Sequence, residues 1–191
     1  MGKLSVFNNV TLDGYFCGVD GDLSWAYTRT RDPEWDAYVA GNASGGGALV
    51  FGRKTYQMME NYWPSPAAAE ANPVVAGSIN ARPKYVFSRT LDQVTWNNTT
   101  LVKSGLADEI RKLKETADFK ATILGSGSLV SQLTQAGLID EYVFVVNPIV
   151  LGAGKTLFDG VERSANLNLI GARTFANGSV VLTYSVASDA V

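Results

Sequence analysis

Histidine is absent from the 191 residues of the chain, and cysteine occurs once, at position 17. The first absence excludes Ser-His-Asp and Cys-His catalysis, HExxH zinc sites and zinc-finger spacings, all of which need an imidazole. The second excludes an intrachain disulfide and argues against thiolate metal sites; it suits a reducing, cytoplasmic setting. An excess of one charge is also missing. Lys and Arg number 16 against 18 Asp and Glu, a formal net charge of −2. Nothing then draws the chain as a whole toward nucleic acid or an anionic membrane, so any anion site has to be local. No apolar run approaches the ~20 residues that a spanning helix needs. The start, MGKLSVFNNV, has one lysine and no long apolar run, so no secretory signal is expected. Chemistry is left to carboxylates, hydroxyls, backbone amides or a borrowed cofactor.

What is present is a globular composition, 46% hydrophobic and 18% charged, which predicts a single domain over residues 1–191. Residues 3–10 read as a strand ended by the turn signal Asp13-Gly14, with a loop over 15–31. Asp32-Pro33 opens a helix to about residue 42, with Asp as N-cap and Pro pre-set for the first helical position. ALVFG at 48–52 is apolar throughout, the pattern of a strand buried on both faces, and a helix over 54–62 follows at once. PSPAAAEANP at 64–73 has the composition of a surface loop. Strands are expected at 84–88, 100–103, 122–124 and 142–150, and a helix at 128–136. Leu106, Ile110, Leu113 and Ala117 recur at helical spacing. Two runs near 167–175 and 179–187 flank Asn177-Gly178, a pair favoured in type I′ hairpin turns. Alternating strands and helices predict parallel strands with helices packed on the sheet, and the strand-only tail adds an antiparallel hairpin.

Two strand-to-helix turns carry the chemistry. In ALVFGRKTY the strand ends at Gly52, and Arg53 and Lys54 occupy the first turn of the next helix. The positive pole of the helix dipole repels cations there by roughly 0.3–1 kcal/mol each. An anion reverses that sign: free N–H groups, the Thr55 hydroxyl and two cationic side chains would all meet phosphate oxygens. In TILGSGSL, Gly125 and Gly127 allow close backbone approach, and Ser126 and Ser128 supply hydroxyls. Val130 stands where the third glycine of G-x-G-x-x-G belongs, so the dinucleotide fingerprint is incomplete. Two such turns in one sheet suggest a ligand with two phosphate groups, such as a dinucleotide. Ser88 and Arg89, just past another strand, would hold its adenosine half. GAGKT at 152–156 is a decoy: Ile149 replaces the glycine a triphosphate loop requires, and the segment reads as a turn. Asp32, Trp35, Asp36 and Val39 share one helix face, so two carboxylates lie beside a Trp. Either carboxylate also has an ordinary role available, Asp32 as a cap and Asp36 as a partner of the helix dipole.

VTLDGYF (10–16), FGRKTY (51–56), VFSRTL (86–91), ILGSGSL (123–129) and PIVLGAGKTLF (148–158) together resemble the dihydrofolate-reductase-like superfamily. The closer likeness is to the branch containing the reductase domain of bifunctional riboflavin-biosynthesis enzymes. The resemblance implies a three-layer α/β fold with a mixed, mainly parallel central sheet flanked by helices. It implies NADPH as hydride donor to a C=N or C=O group of a small pterin-, pyrimidine- or ribosylamino-like substrate, and a homodimer. Carried over by motif, Gly52, Arg53, Lys54 and Thr55 would hold the cofactor's phosphates, with Arg53 at the 2′-phosphate. Ser88 and Arg89 would lie along the adenosine, and Gly125, Ser126, Gly127, Ser128 and Leu129 would cover the pyrophosphate. The loop from Asp13 to Trp25 would close over nicotinamide and substrate, with Tyr15, Trp25 and Trp35 as pocket walls. Asp32 is the first candidate for the active-site acid and Asp36 the second, and burial beside Trp35 would raise the carboxyl pKa. Two rival readings are a non-catalytic NADP-binding or regulatory protein on the same fold, and a phosphate-ester or sugar-phosphate binding protein of another α/β family that uses the same helix termini.

Overall fold

A computed structural model of the protein describes residues 1–187. Its elements run β1 (Lys3–Thr11), a 3-10 turn (Ser24–Tyr27), α1 (Pro33–Ser44), β2 (Ala48–Gly52), α2 (Arg53–Tyr62), α3 (Pro66–Ala71), α4 (Pro73–Ala81), β3 (Lys84–Phe87), β4 (Thr99–Val102), α5 (Leu106–Glu115), β5 (Lys120–Leu124), α6 (Gly127–Gln135), β6 (Glu141–Asn147), β7 (Leu167–Thr174) and β8 (Val180–Val186). All eight strands join one sheet in the order β4-β3-β2-β5-β1-β6-β8-β7. β4 through β6 are parallel, and the hairpin β7–β8 pairs antiparallel with β6. The mixed, mainly parallel three-layer sheet expected from the alternation is the observed one.

Helices on both faces bury the central strands. β2 is apolar at every position because both its faces are covered. Leu4, Val6 and Val50 pack with Ile110 of α5 and Val130 and Leu133 of α6 on one face. Leu49 and Phe51 pack with Ala43 of α1, Tyr56 of α2 and Val75 and Ile79 of α4 on the other.

Two expectations are corrected. The segment 64–73 is not a surface loop: Ser65 caps α3 by accepting from Ala68 N–H, Pro66 takes the first helical position, and α4 follows from Pro73. Proline there starts helices rather than breaking them. The Asn177-Gly178 turn is not type I′, which needs positive φ at both central residues. Only Gly178 is left-handed, at φ 84°, and the Gly178 N–H returns to the Phe175 carbonyl at 3.0 Å.

Strand register sets where loops meet. β5 ends at Leu124, opposite Phe7, while β1 continues to Thr11, opposite Asn147. The carboxyl end of β2, Gly52, lies opposite Phe87 of β3. The turns after β2, β3 and β5 therefore open on the same edge of the sheet.

Candidate active site

The two glycine turns form one hydrogen-bonded junction. Gly52 N–H donates to Ser126 Oγ at 2.7 Å, and Ser126 N–H donates to Thr55 Oγ1 at 3.1 Å. The Ser126 hydroxyl donates to Thr55 Oγ1 at 2.9 Å. This close approach requires Gly125 and Ser126 to take left-handed conformations in succession, at φ 60° and 59°. A Cβ on Gly125 would stand 3.0 Å from the Thr55 side chain. The hydroxyl oxygens of Thr55 and Ser126 therefore brace the junction.

What the junction leaves free is backbone and charge. α2 has no side-chain cap, so the N–H groups of its first turn lack partners. Arg53 and Lys54 are exposed beside them and make no ion pair among the described residues. α6 likewise has no side-chain cap. Leu129 and Val130 N–H groups turn back to the Ser126 carbonyl, which leaves those of Gly127 and Ser128. Arg89 is exposed one strand over, past Phe87, and also has no ion-pair partner among the described residues.

Other expected binding residues have internal duties. Leu129 is buried in the core under Gly52, so its side chain faces away from any ligand on this edge. Ser128 does not cap α6, because the cap position is Ser126. Ser88 is buried, and its Oγ accepts the N–H groups of Thr90 and Leu91 at 3.2 and 3.0 Å, fixing the turn that presents Arg89.

Asp32 does not carry the pKa shift expected of it. Asp32 is the N-cap of α1: Oδ1 accepts from Glu34 and Trp35 N–H, and Oδ2 accepts from Asn177 N–H at 3.1 Å. Burial pushes its pKa up, but the N–H donors of Asn177, Trp35, Glu34 and Ala176 outweigh it and hold the carboxyl below its ordinary value. The expected upward shift is thus reversed. Asp36 is exposed one turn on. Trp35 is not an open pocket wall: its ring meets Phe175 edge-on at 5.1 Å and Tyr38 at 5.7 Å, and the Arg29 guanidinium lies over it at 4.6 Å.

The loop after β1 is tied to the segment 148–155. Asp13 accepts from the Thr11 hydroxyl at 2.5 Å and from Leu151 and Gly152 N–H, and Cys17 bridges Lys155. Tyr15 packs on Gly154, and the Phe16 ring lies against Gly127 at the start of α6. GAGKT is a turn in this clamp, as expected. Trp25 is buried, and its indole N–H has no partner among the described residues.

A polar cluster that the motifs did not reveal stands at the carboxyl ends of β1 and β6. Asn9 and Asn147 offer their side-chain oxygens to Arg29, with Nε–H donating to Asn147 Oδ1 at 2.8 Å and Nη2 donating to both asparagines. Asn147 also donates to the Val10 and Val145 carbonyls at 3.0 Å each. On the opposite face of β1, Asn8 donates to the Gly125 carbonyl at 3.4 Å. Burial lowers the Arg29 pKa to about 10, a pull that nearby Tyr27 partly opposes. The signal in the sequence was Asn8-Asn9, two amides in succession near the end of an apolar strand.

Sheet order, the helices on both faces and the loops gathered on the carboxyl edge make this a dihydrofolate-reductase-like α/β protein. The chain belongs to the RibD C-terminal domain family, whose model matches residues 3–181. It is similar to the uncharacterized protein YyaP of Bacillus subtilis (strain 168), at 30% identity over 92% of this chain and 90% of that one. A crystal structure of a protein from Shewanella sp. PV-4 assigned to riboflavin biosynthesis superposes with a TM-score of 0.78 at 26% identity, covering 97% and 99% of the two chains. Dihydrofolate reductase from Enterococcus faecalis, complexed with NADP(H), shares the fold with a TM-score of 0.59 at 16% identity, covering 97% of each chain.

Proposed function

We propose that the protein is an NADPH-dependent reductase that passes hydride to a C=N or C=O group of a small pterin-, pyrimidine- or ribosylamino-like substrate. The observation that carries this reading is the junction of α2 and α6: two uncapped helix starts braced together, with Arg53 and Lys54 exposed and unpaired at one of them. These residues fit a dinucleotide. The N–H groups at the start of α2 with Lys54 would hold phosphate, Arg53 the 2′-phosphate, Arg89 the adenosine side, and the N–H groups of Gly127 and Ser128 the pyrophosphate. When bound, the cofactor supplies the hydride; the protein supplies alignment and exclusion of water. The Asp13 clamp holds the loop bearing Phe16 against this edge. Asp32 serves as a structural cap, with both carboxylate oxygens engaged by backbone N–H groups.

Titration of intrinsic tryptophan fluorescence with NADPH and NADH tests the cofactor. NADPH is expected to bind at least tenfold more tightly; equal affinities, with competition by inorganic phosphate, overturn the reading. One observation favours a second reading, cofactor binding without turnover: Asp32 has its oxygens taken by backbone N–H groups and Asp36 is exposed. Steady NADPH oxidation with pterins or aminopyrimidines separates the two.

A further inference from the structure

Lys114 and Lys84, both buried, spend their ammonium donors on acceptors within the fold. Lys114 pairs with Asp140 at 2.6 Å and donates to the Leu138 carbonyl. Lys84 donates to the carbonyls of Asn80, Arg82 and Asn97. Arg29 differs. It is half-buried, its acceptors are two neutral amide oxygens, and these engage only Nε and Nη2 of the guanidinium. The acid closest in sequence, Asp32, has both oxygens engaged by backbone N–H groups. Asn9 and Asn147 hold the Nε and Nη2 edge toward the sheet, Trp35 covers one face, and Nη1 makes no hydrogen bond among the described residues. A guanidinium held rigidly by neutral groups, with its charge unmatched and one nitrogen free, is preorganised for an anion.

We infer that Arg29 receives one oxygen of a carboxylate carried by the substrate, making it the residue that selects ring carboxylates over neutral rings. The inference rests on the reductase reading for the location of the substrate, at the carboxyl ends of β1 and β6. A single free nitrogen suits one oxygen of a singly charged carboxylate; a phosphate dianion calls for several donors. Asparagine rather than aspartate at position 9 leaves the Arg29 charge without a counter-charge. An aspartate there would keep the hydrogen bond to Nη2 and cancel the charge.

The test uses matched probes that differ by a carboxylate: orotate against uracil, nicotinate against nicotinamide, and pterin-6-carboxylate against pterin. Binding is read by thermal shift and tryptophan fluorescence without cofactor, and NADPH is titrated separately on the same samples. In the wild type at least one carboxylate is expected to bind tenfold or more tightly than its neutral partner. Arg29→Gln and Asn9→Asp should both abolish that ratio while leaving NADPH affinity within twofold. Asn9→Asp separates charge from bracing, because it retains the acceptor for Arg29. A wild type that distinguishes no pair, or variants that keep the ratio, overturn the inference. Absence of NADPH binding counts against the reductase reading instead.

Discussion

At the amino edge of the sheet, Arg82 and Lys84 sit among carbonyl oxygens. Arg82 donates to the Gly47 carbonyl at 2.8 Å and reaches those of Ala43 and Ala48, and Lys84 donates to three carbonyls with the Trp96 ring 4.4 Å away. At the carboxyl edge, Arg53, Lys54 and Arg89 are exposed and unpaired among the described residues. The difference follows from helix polarity. α1 and α4 end at the amino edge and present carbonyls, which cations satisfy. α2 and α6 begin at the carboxyl edge and present N–H groups, which cations do not satisfy. An open depression of about 500 Å³ does lie at the amino edge, lined by Gly46, Gly47, Arg82, Asp118 and Lys120. Its arginine is already engaged, so shape alone misdirects the search for a ligand, while unmatched charge at helix starts points to the other edge.

Three experiments would break or sharpen this contrast. The largest effect is expected from Arg53→Ala with Lys54→Ala, which should weaken NADPH binding at least 100-fold, since two charge-assisted contacts on the order of 1.5–3 kcal/mol each are lost. Melting should barely move, since neither side chain has an internal partner. A double variant that binds NADPH normally would remove the carboxyl edge from consideration. Next comes Lys84→Met, which leaves three carbonyls without their donor and should cost about 2–4 kcal/mol of stability by urea denaturation. NADPH affinity should be unchanged, the reverse of the first pattern. The smallest effect concerns acid stability. The Asp32 pKa is depressed in the folded protein, so its contribution is present above the ordinary carboxylate range and lost as pH falls through the folded value. Melting measured from pH 6 down to pH 3 should fall more steeply in the wild type than in Asp32→Asn.

Much of the architecture was legible because local signals agreed with burial. ALVFG could only be an internal strand, and the spacing of Leu106, Ile110 and Leu113 placed α5. The turns at Gly52 and Gly125 were visible because strand, glycine and helix follow without a break. Their meeting was not visible, because Gly52 and Ser126 are 74 residues apart and only sheet order brings them together. Asp32 illustrates the converse. Its local pattern fitted both a cap and an acid, and the deciding partner, Asn177, comes from the far end of the chain. Arg29 was missed because the sequence around it carries no motif; its neighbours Asn9 and Asn147 are supplied by β1 and β6.

The bond between Asp32 and the Asn177 N–H spans 145 positions and couples two parts of the molecule that are made at different times. During synthesis the opening turn of α1 emerges early, yet the last of its carboxylate's donors arrives only with the hairpin tip. Peeling β7 and β8 from the sheet would remove that donor and part Phe175 from Trp35. Amide exchange at the first turn of α1 and at the hairpin tip would then rise together, as one cooperative unit.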